Sequence, residues 1–202
     1  MNSCEWADDM IEDAEGLIKR EEILKHLGLR GKHILDIGVG QLSIIAARDF
    51  NCRVTSIDIS ESALRDAKQD AESEGVADKI TYELGDATSL RYDDASFDAV
   101  ISYGALHHVE PDKRGEFVSE ACRVARDKVI IAELNTVGFH RIHGSSSFKA
   151  VDLKWLKKEL SSFGVLEEYI GTAMNVYVLK KSKIKSFRSI NEYRWIYACN
   201  AQ

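Results

Sequence analysis

Apolar positions along this chain alternate between two rhythms. Ile34, Leu35 and Ile37 form a short run that reads as a buried strand, after which Leu42, Ile45, Ala46 and Ala47 recur at helical spacing. Residues 53–60 read as a second strand ending on Asp58, with Ser60 placed to cap a helix that turns Leu64, Ala67 and Ala71 to one side. Residues 79–84 form a third β-prone run, followed by Gly85-Asp86-Ala87. Residues 97–102 form a fourth, running into Tyr103-Gly104-Ala105-Leu106-His107-His108. A helix with Phe117, Val118, Ala121 and Val124 inward then leads to a fifth strand at 128–133. Strands alternating with helices specify an open α/β sheet, largely parallel.

Both ends depart from this alternation. A helical stretch over about 152–162 precedes β-prone runs at 165–171 and 174–180, and the residues between those runs are too few for a parallel crossover. An antiparallel hairpin is expected. Near the N-terminus, Ile11, Leu17, Ile18, Ile23, Leu24 and Leu27 lie among many acids, a spacing that suits one or two amphipathic helices between about Asp8 and His26. Such a segment either packs on the sheet edge or covers a ligand site, with Trp6 and Met10 adding apolar surface. Residues 182–202 mix Lys183, Lys185, Arg188 and Arg194 with Phe187, Tyr193, Trp195 and Tyr197, reading as a tail docked by its aromatics or as an arm for a substrate or partner. The expected organisation is one domain over 1–202: an N-terminal helical cover (1–30), an α/β core (31–181) and a C-terminal extension (182–202).

Composition narrows the function classes. With 202 residues, 45% hydrophobic and 30% charged, the chain can bury a substantial core. A net charge of −6 argues against nucleic acid as the main partner, since phosphate contacts need clustered Lys and Arg. No apolar run approaches the roughly 20 residues needed to span a bilayer, and the acidic start lacks a signal peptide's pattern. Cys4, Cys52, Cys122 and Cys199 show no metal-ligand spacing, so free thiols in a cytoplasmic protein are expected.

The chemistry concentrates at Asp36-Ile37-Gly38-Val39-Gly40-Gln41. A strand, a glycine turn and a helix N-terminus make a nucleotide-binding corner, where Gly38 and Gly40 let a ligand approach the backbone. Asp58 lies 20 residues after Gly38, near the distance at which a strand-end acid accepts hydrogen bonds from ribose hydroxyls. To this point a nicotinamide dinucleotide and S-adenosylmethionine fit equally. Three features favour the second. Asp36 suits a neighbouring ammonium better than a pyrophosphate, Asp86 is placed to read an adenine amino group, and the terminal hairpin is foreign to a simple dehydrogenase.

With these motifs in view, the chain resembles the class I S-adenosylmethionine-dependent methyltransferases of the small-molecule group. Leu35-Asp36-Ile37-Gly38-Val39-Gly40 is similar to that family's first motif and Ile57-Asp58-Ile59-Ser60 to its second. Gly85-Asp86-Ala87 is similar to its third, and residues 97–102 with Leu106-His107-His108-Val109 to its fourth. The resemblance implies a Rossmann-like seven-stranded sheet of order 3-2-1-4-5-7-6, strand 7 antiparallel, with helices on both faces. It implies that Asp36, Gly38, Gly40 and Gln41 hold the methionine part of the cofactor and that Asp58 takes the ribose, with Ile59 against adenine. Asp86 and Ala87 would meet the adenine amino group, and Ser102 would face the methionine end. Leu42 stands where the family usually has a third glycine, and a branched side chain there is expected to narrow the methionine side or shift the first helical turn.

The implied reaction is methyl transfer from S-adenosylmethionine, leaving S-adenosylhomocysteine, by in-line displacement at the sulfonium methyl. It needs alignment and a dry pocket, and a base only when the acceptor must lose a proton. His107 is the candidate base, with a supporting loop role as its alternative. Trp6, Met10, Tyr103, His140 and Arg141 are candidate acceptor contacts, residues 138–147 reading as a substrate loop. A metal on His140 and His143 is not expected, because no further ligand stands at suitable spacing. By elimination the acceptor is a small molecule. A protein acceptor, or a cofactor-binding sensor or scaffold without transferase activity, are the alternatives.

Overall fold

The computed structural model describes residues 10–144 and 146–181. Trp6, the start of the expected N-terminal helix and the extension at 182–202 lie outside the described residues. Seven strands form one sheet: β1 (His33–Ile37), β2 (Arg53–Asp58), β3 (Ile80–Leu84), β4 (Phe97–Tyr103), β5 (Ala125–Leu134), β6 (Val165–Ile170) and β7 (Met174–Lys180). Their order is β3-β2-β1-β4-β5-β7-β6. The first five pair in parallel, whereas β7 runs antiparallel to both β5 and β6. The order is the one the family resemblance implies, and the hairpin is the one expected from the short link between the last two strands.

Side-chain alternation along each strand divides the core into two layers. Ile34, Val54, Ile101, Ile130 and Val178 face α1 (Arg20–His26) and α2 (Gln41–Asp49). Leu35, Ile57, Val100, Val129 and Leu179 face the opposite way, onto α4 (Arg114–Val124) and α6 (Leu153–Ser161). Between β2 and β3, α3 (Glu61–Ser73) starts at Ser60, whose hydroxyl accepts from the Ala63 N–H as the sequence suggests. Among the described residues no helix is long and apolar enough to cross a membrane.

Two segments differ from expectation. Among the described residues, the N-terminal helix forms over Arg20–His26 alone. Before it, the Asp13 carboxylate accepts from the Glu15 and Leu17 N–H groups, and Gly16 takes φ +80°, so the chain turns instead of coiling. Glu12 accepts from the Thr172 N–H and Tyr169 hydroxyl, tying this turn to the β6–β7 hairpin. Ile18, Ile23 and Leu24 are fully buried, packed against the sheet face that carries Ile101, Ile130 and Val178.

The second difference is α5 (Thr136–His143), which occupies most of the expected substrate loop. The Asn135 side chain caps it by accepting from the Val137 and Gly138 N–H groups. A Cβ on Gly138 would lie 2.0 Å from the Ala173 carbonyl oxygen, so the helix can reach the hairpin only with glycine there.

Candidate active site

A cleft of about 670 Å³ opens beyond the C-terminal ends of the parallel strands. It lies where the order reverses between β1 and β4, the position at which open α/β sheets leave a crevice. Gly38 and Val39 form one wall, Asp58 and Ile59 the next, and Gly85 to Thr88 a third. Tyr103 to Ala105, His108 to Glu110, Lys113, Phe117 and Phe148 complete it.

The glycine wall is held by main-chain and carboxylate contacts. The Gly38 N–H donates to the Ile57 carbonyl at 2.9 Å, with Gly38 at φ +92°. A Cβ there would meet the Ala105 Cβ at 2.8 Å, so both the backbone and the opposite wall require glycine. Asp58 Oδ2 accepts from the Val39 N–H at 3.2 Å, and Oδ1 from the Ser60 N–H at 2.9 Å. A carboxylate holds about four lone-pair sites, so Asp58 fixes the loop and keeps acceptor capacity for a ligand.

Asp36 lies beneath this loop, 1% exposed. Its Oδ2 accepts from the Ser43 hydroxyl, while Oδ1 is buried without a hydrogen-bond partner. Burial raises its pKa to about 7, against the opposing effects of the Ser43 hydrogen bond and the nearby Arg20 charge. Ser102, beside Ile37 in the β1–β4 register, also carries a buried hydroxyl without a partner. Asp86 is exposed, and its pKa is lowered chiefly by the hydrogen bond from the Thr88 hydroxyl.

Of the expected cofactor residues, Gly38, Asp58, Ile59, Asp86 and Ala87 line the cleft. Asp36 and Ser102 are buried below it, and Gly40 and Gln41 are exposed at the start of α2. Leu42 is 2% exposed, packs in the α1–α2 core layer and is not part of the cleft lining.

The expected acceptor residues are dispersed. Tyr103 lines the cleft, its hydroxyl donating to the Ile18 carbonyl and its ring lying 4.1 Å below the Arg20 guanidinium. Met10 is buried in the α1–α2 layer, His140 is exposed, and Arg141 donates to the Glu15 carbonyl. None of these three lines the cleft.

His107 is 3% exposed and also stands outside the cleft lining. Its Nδ1 is 2.7 Å from Glu133 Oε1, and its Nε2 is 3.0 Å from His143 Nε2. His108, its neighbour, does line the cleft. Burial, followed by the neighbouring imidazoles, lowers the pKa of both His108 and His143.

Glu133 and Phe148 escaped the reading of the sequence. An acid inside Ile130-Ile131-Ala132-Glu133-Leu134 was a usable signal, because a carboxylate buried in an apolar strand must have partners. Phe148 carried no such signal.

Residues 34–128 match the methyltransferase domain family. That match takes in just under half of the chain. Norajmaline N-methyltransferase of Rauvolfia serpentina is 30% identical over 129 residues, covering 63% of this chain and 44% of that protein. The 27-O-demethylrifamycin SV methyltransferase of Amycolatopsis mediterranei is 40% identical over 98 residues, covering 48% and 35%. The match therefore spans less than half the length of either relative. In fold it is similar to a Pyrococcus horikoshii protein of solved structure, with TM-score 0.67, 22% identity, and coverage of 81% and 90%.

Proposed function

We propose that this methyltransferase domain binds S-adenosylmethionine in the cleft and transfers its methyl group to a small-molecule acceptor. The observation that carries this reading is the buried, unpartnered Asp36 Oδ1 beneath the glycine wall. A lone carboxylate oxygen withdrawn from water is costly, and a ligand ammonium would offset that cost. Asp58 would accept from the ribose hydroxyls, Asp86 from the adenine amino group, and Ile59 and Ala87 would pack against the base. The cofactor supplies an activated sulfonium methyl. The protein's part is to fix the two reactants in line and exclude water, for which Phe117, Val109 and Phe148 give apolar walls.

The small-molecule acceptor is supported by the names of the two curated relatives, both acting on such compounds. His108 lines the cleft and His107 does not, so His108 is the histidine available to an acceptor. Arg20 and Tyr103 join the N-terminal segment to the same wall.

Calorimetry of the full chain with S-adenosylmethionine and S-adenosylhomocysteine tests the cofactor. Saturable binding of both is expected, and binding of neither would discard the proposal. Labelled methyl transfer to a cell extract, read by mass spectrometry, then tests the reaction. A labelled small molecule is the expected product, whereas binding without any labelled product would leave a cofactor sensor.

A further inference from the structure

Three imidazoles meet at the edge of the cleft. His107 and His108 stand on the 3-10 turn after β4, and His143 ends α5. One ring nitrogen from each lies within 4.8 Å of the other two. We propose that His107, His108 and His143 form a binding site for a divalent transition metal of the zinc class.

Glu133 supplies the independent support. It is fully buried and accepts from the Leu134 N–H at 2.7 Å and from the His107 N–H at 3.2 Å. With the His107 Nδ1–H donating across the 2.7 Å contact to Glu133 Oε1, the imidazole carries its free lone pair on Nε2. This tautomer leaves the Nε2 lone pair of His107 directed at His143. A carboxylate behind one nitrogen and an open lone pair on the other is how metal-bound histidines are oriented.

The spacing is also suitable. Zinc–nitrogen bonds of about 2.0–2.1 Å in a tetrahedral site place two nitrogens about 3.3 Å apart. The His107 and His143 Nε2 atoms are 3.0 Å apart, and His108, exposed with its ring 4.3 Å from that of His107, has room to turn. Phe139 and Phe148 pack edge-on against His107, limiting water around it. Three histidines leave a fourth coordination position for an exogenous oxygen or nitrogen donor. A hydrogen bond between His107 and His143 is the competing account of their contact, but it assigns nothing to His108.

His108 and Phe148 also line the cleft, so a metal here borders the acceptor space. That consequence rests on the methyl-transfer reading; metal binding does not, and it is measured without cofactor. The full chain, stripped with a chelator, is titrated with Co²⁺ and followed by visible absorption, and Zn²⁺ is then added in competition. One Co²⁺ per chain with a four- or five-coordinate spectrum, displaced by Zn²⁺, is expected. His143→Ala should abolish that spectrum, and Glu133→Gln should weaken binding about 10–100-fold. His140→Ala, one turn earlier on the same helix, should leave affinity unchanged, and circular dichroism checks that each variant is folded. No stoichiometric Co²⁺ binding by the wild-type chain would overturn the site and leave a hydrogen-bonded histidine pair. Binding that survives His143→Ala and His108→Ala in folded protein would overturn it equally.

Discussion

Ser43 Oγ donates a 2.5 Å hydrogen bond to Asp36 Oδ2, joining the first turn of α2 to the strand before it. The other carboxylate oxygen of Asp36 has no partner. One half of this side chain belongs to the fold, and the other is available to a ligand.

Asp36 gives the protein a signed pH dependence. Its pKa rises from 3.8 to about 7 on folding, so the native state holds the proton more tightly across that interval. Stability from this group is greatest at the acid end, falls as pH rises through the interval, and levels off above about 7. The span is on the order of 4 kcal/mol. Asp36→Asn removes the titration. In urea melts the variant should gain on the wild type between about pH 5 and about pH 8, and a constant difference would contradict a buried titrating Asp36.

Asp58 tests the cofactor reading. Charge-assisted hydrogen bonds contribute about 1.5–3 kcal/mol each, so Asp58→Ala should weaken S-adenosylmethionine binding by at least about tenfold. Part of the loss would come through Val39, whose N–H loses its acceptor. Calorimetric affinity equal to that of the wild type would remove Asp58 from the binding site.

Gly38→Ala combines an unfavourable φ with a contact to Ala105. A destabilisation of about 1–3 kcal/mol is expected by chemical denaturation. The double variant Gly38→Ala, Ala105→Gly should recover part of it, because the contact goes and the backbone strain stays. Full recovery would assign the whole cost to the contact.

Arg114 ties the cleft loops together. It is buried and donates to the carbonyls of Val109, Lys149 and Ala150, joining the turn after His108 to the segment carrying Phe148. Burial lowers its pKa. Lysine cannot reproduce the planar fork, so Arg114→Lys should cost about 1–3 kcal/mol in urea melts and raise amide exchange near 146–151. Unchanged exchange there would show that the loops are held by other contacts.

The amino-acid sequence determined what local periodicity and strand-end chemistry can encode. The alternation from Ile34 to Glu133 specified the parallel sheet, and the short link at Thr172 and Ala173 specified the hairpin. Gly38, Asp58 and Asp86 were legible because each ends a strand or lies within two residues of its end, where the fold must place it at the crevice. Tertiary packing decided the rest. Leu42 faces the core because α2 lies flat on the sheet, which spacing from the glycines does not reveal. Residues 11–19 form a turn because Glu12 finds partners 157 and 160 residues away, outweighing helical periodicity. The histidine cluster needs β4, β5 and α5 to converge, with His107 and His143 36 positions apart. No periodicity carries that information, because the sheet order brings these residues together.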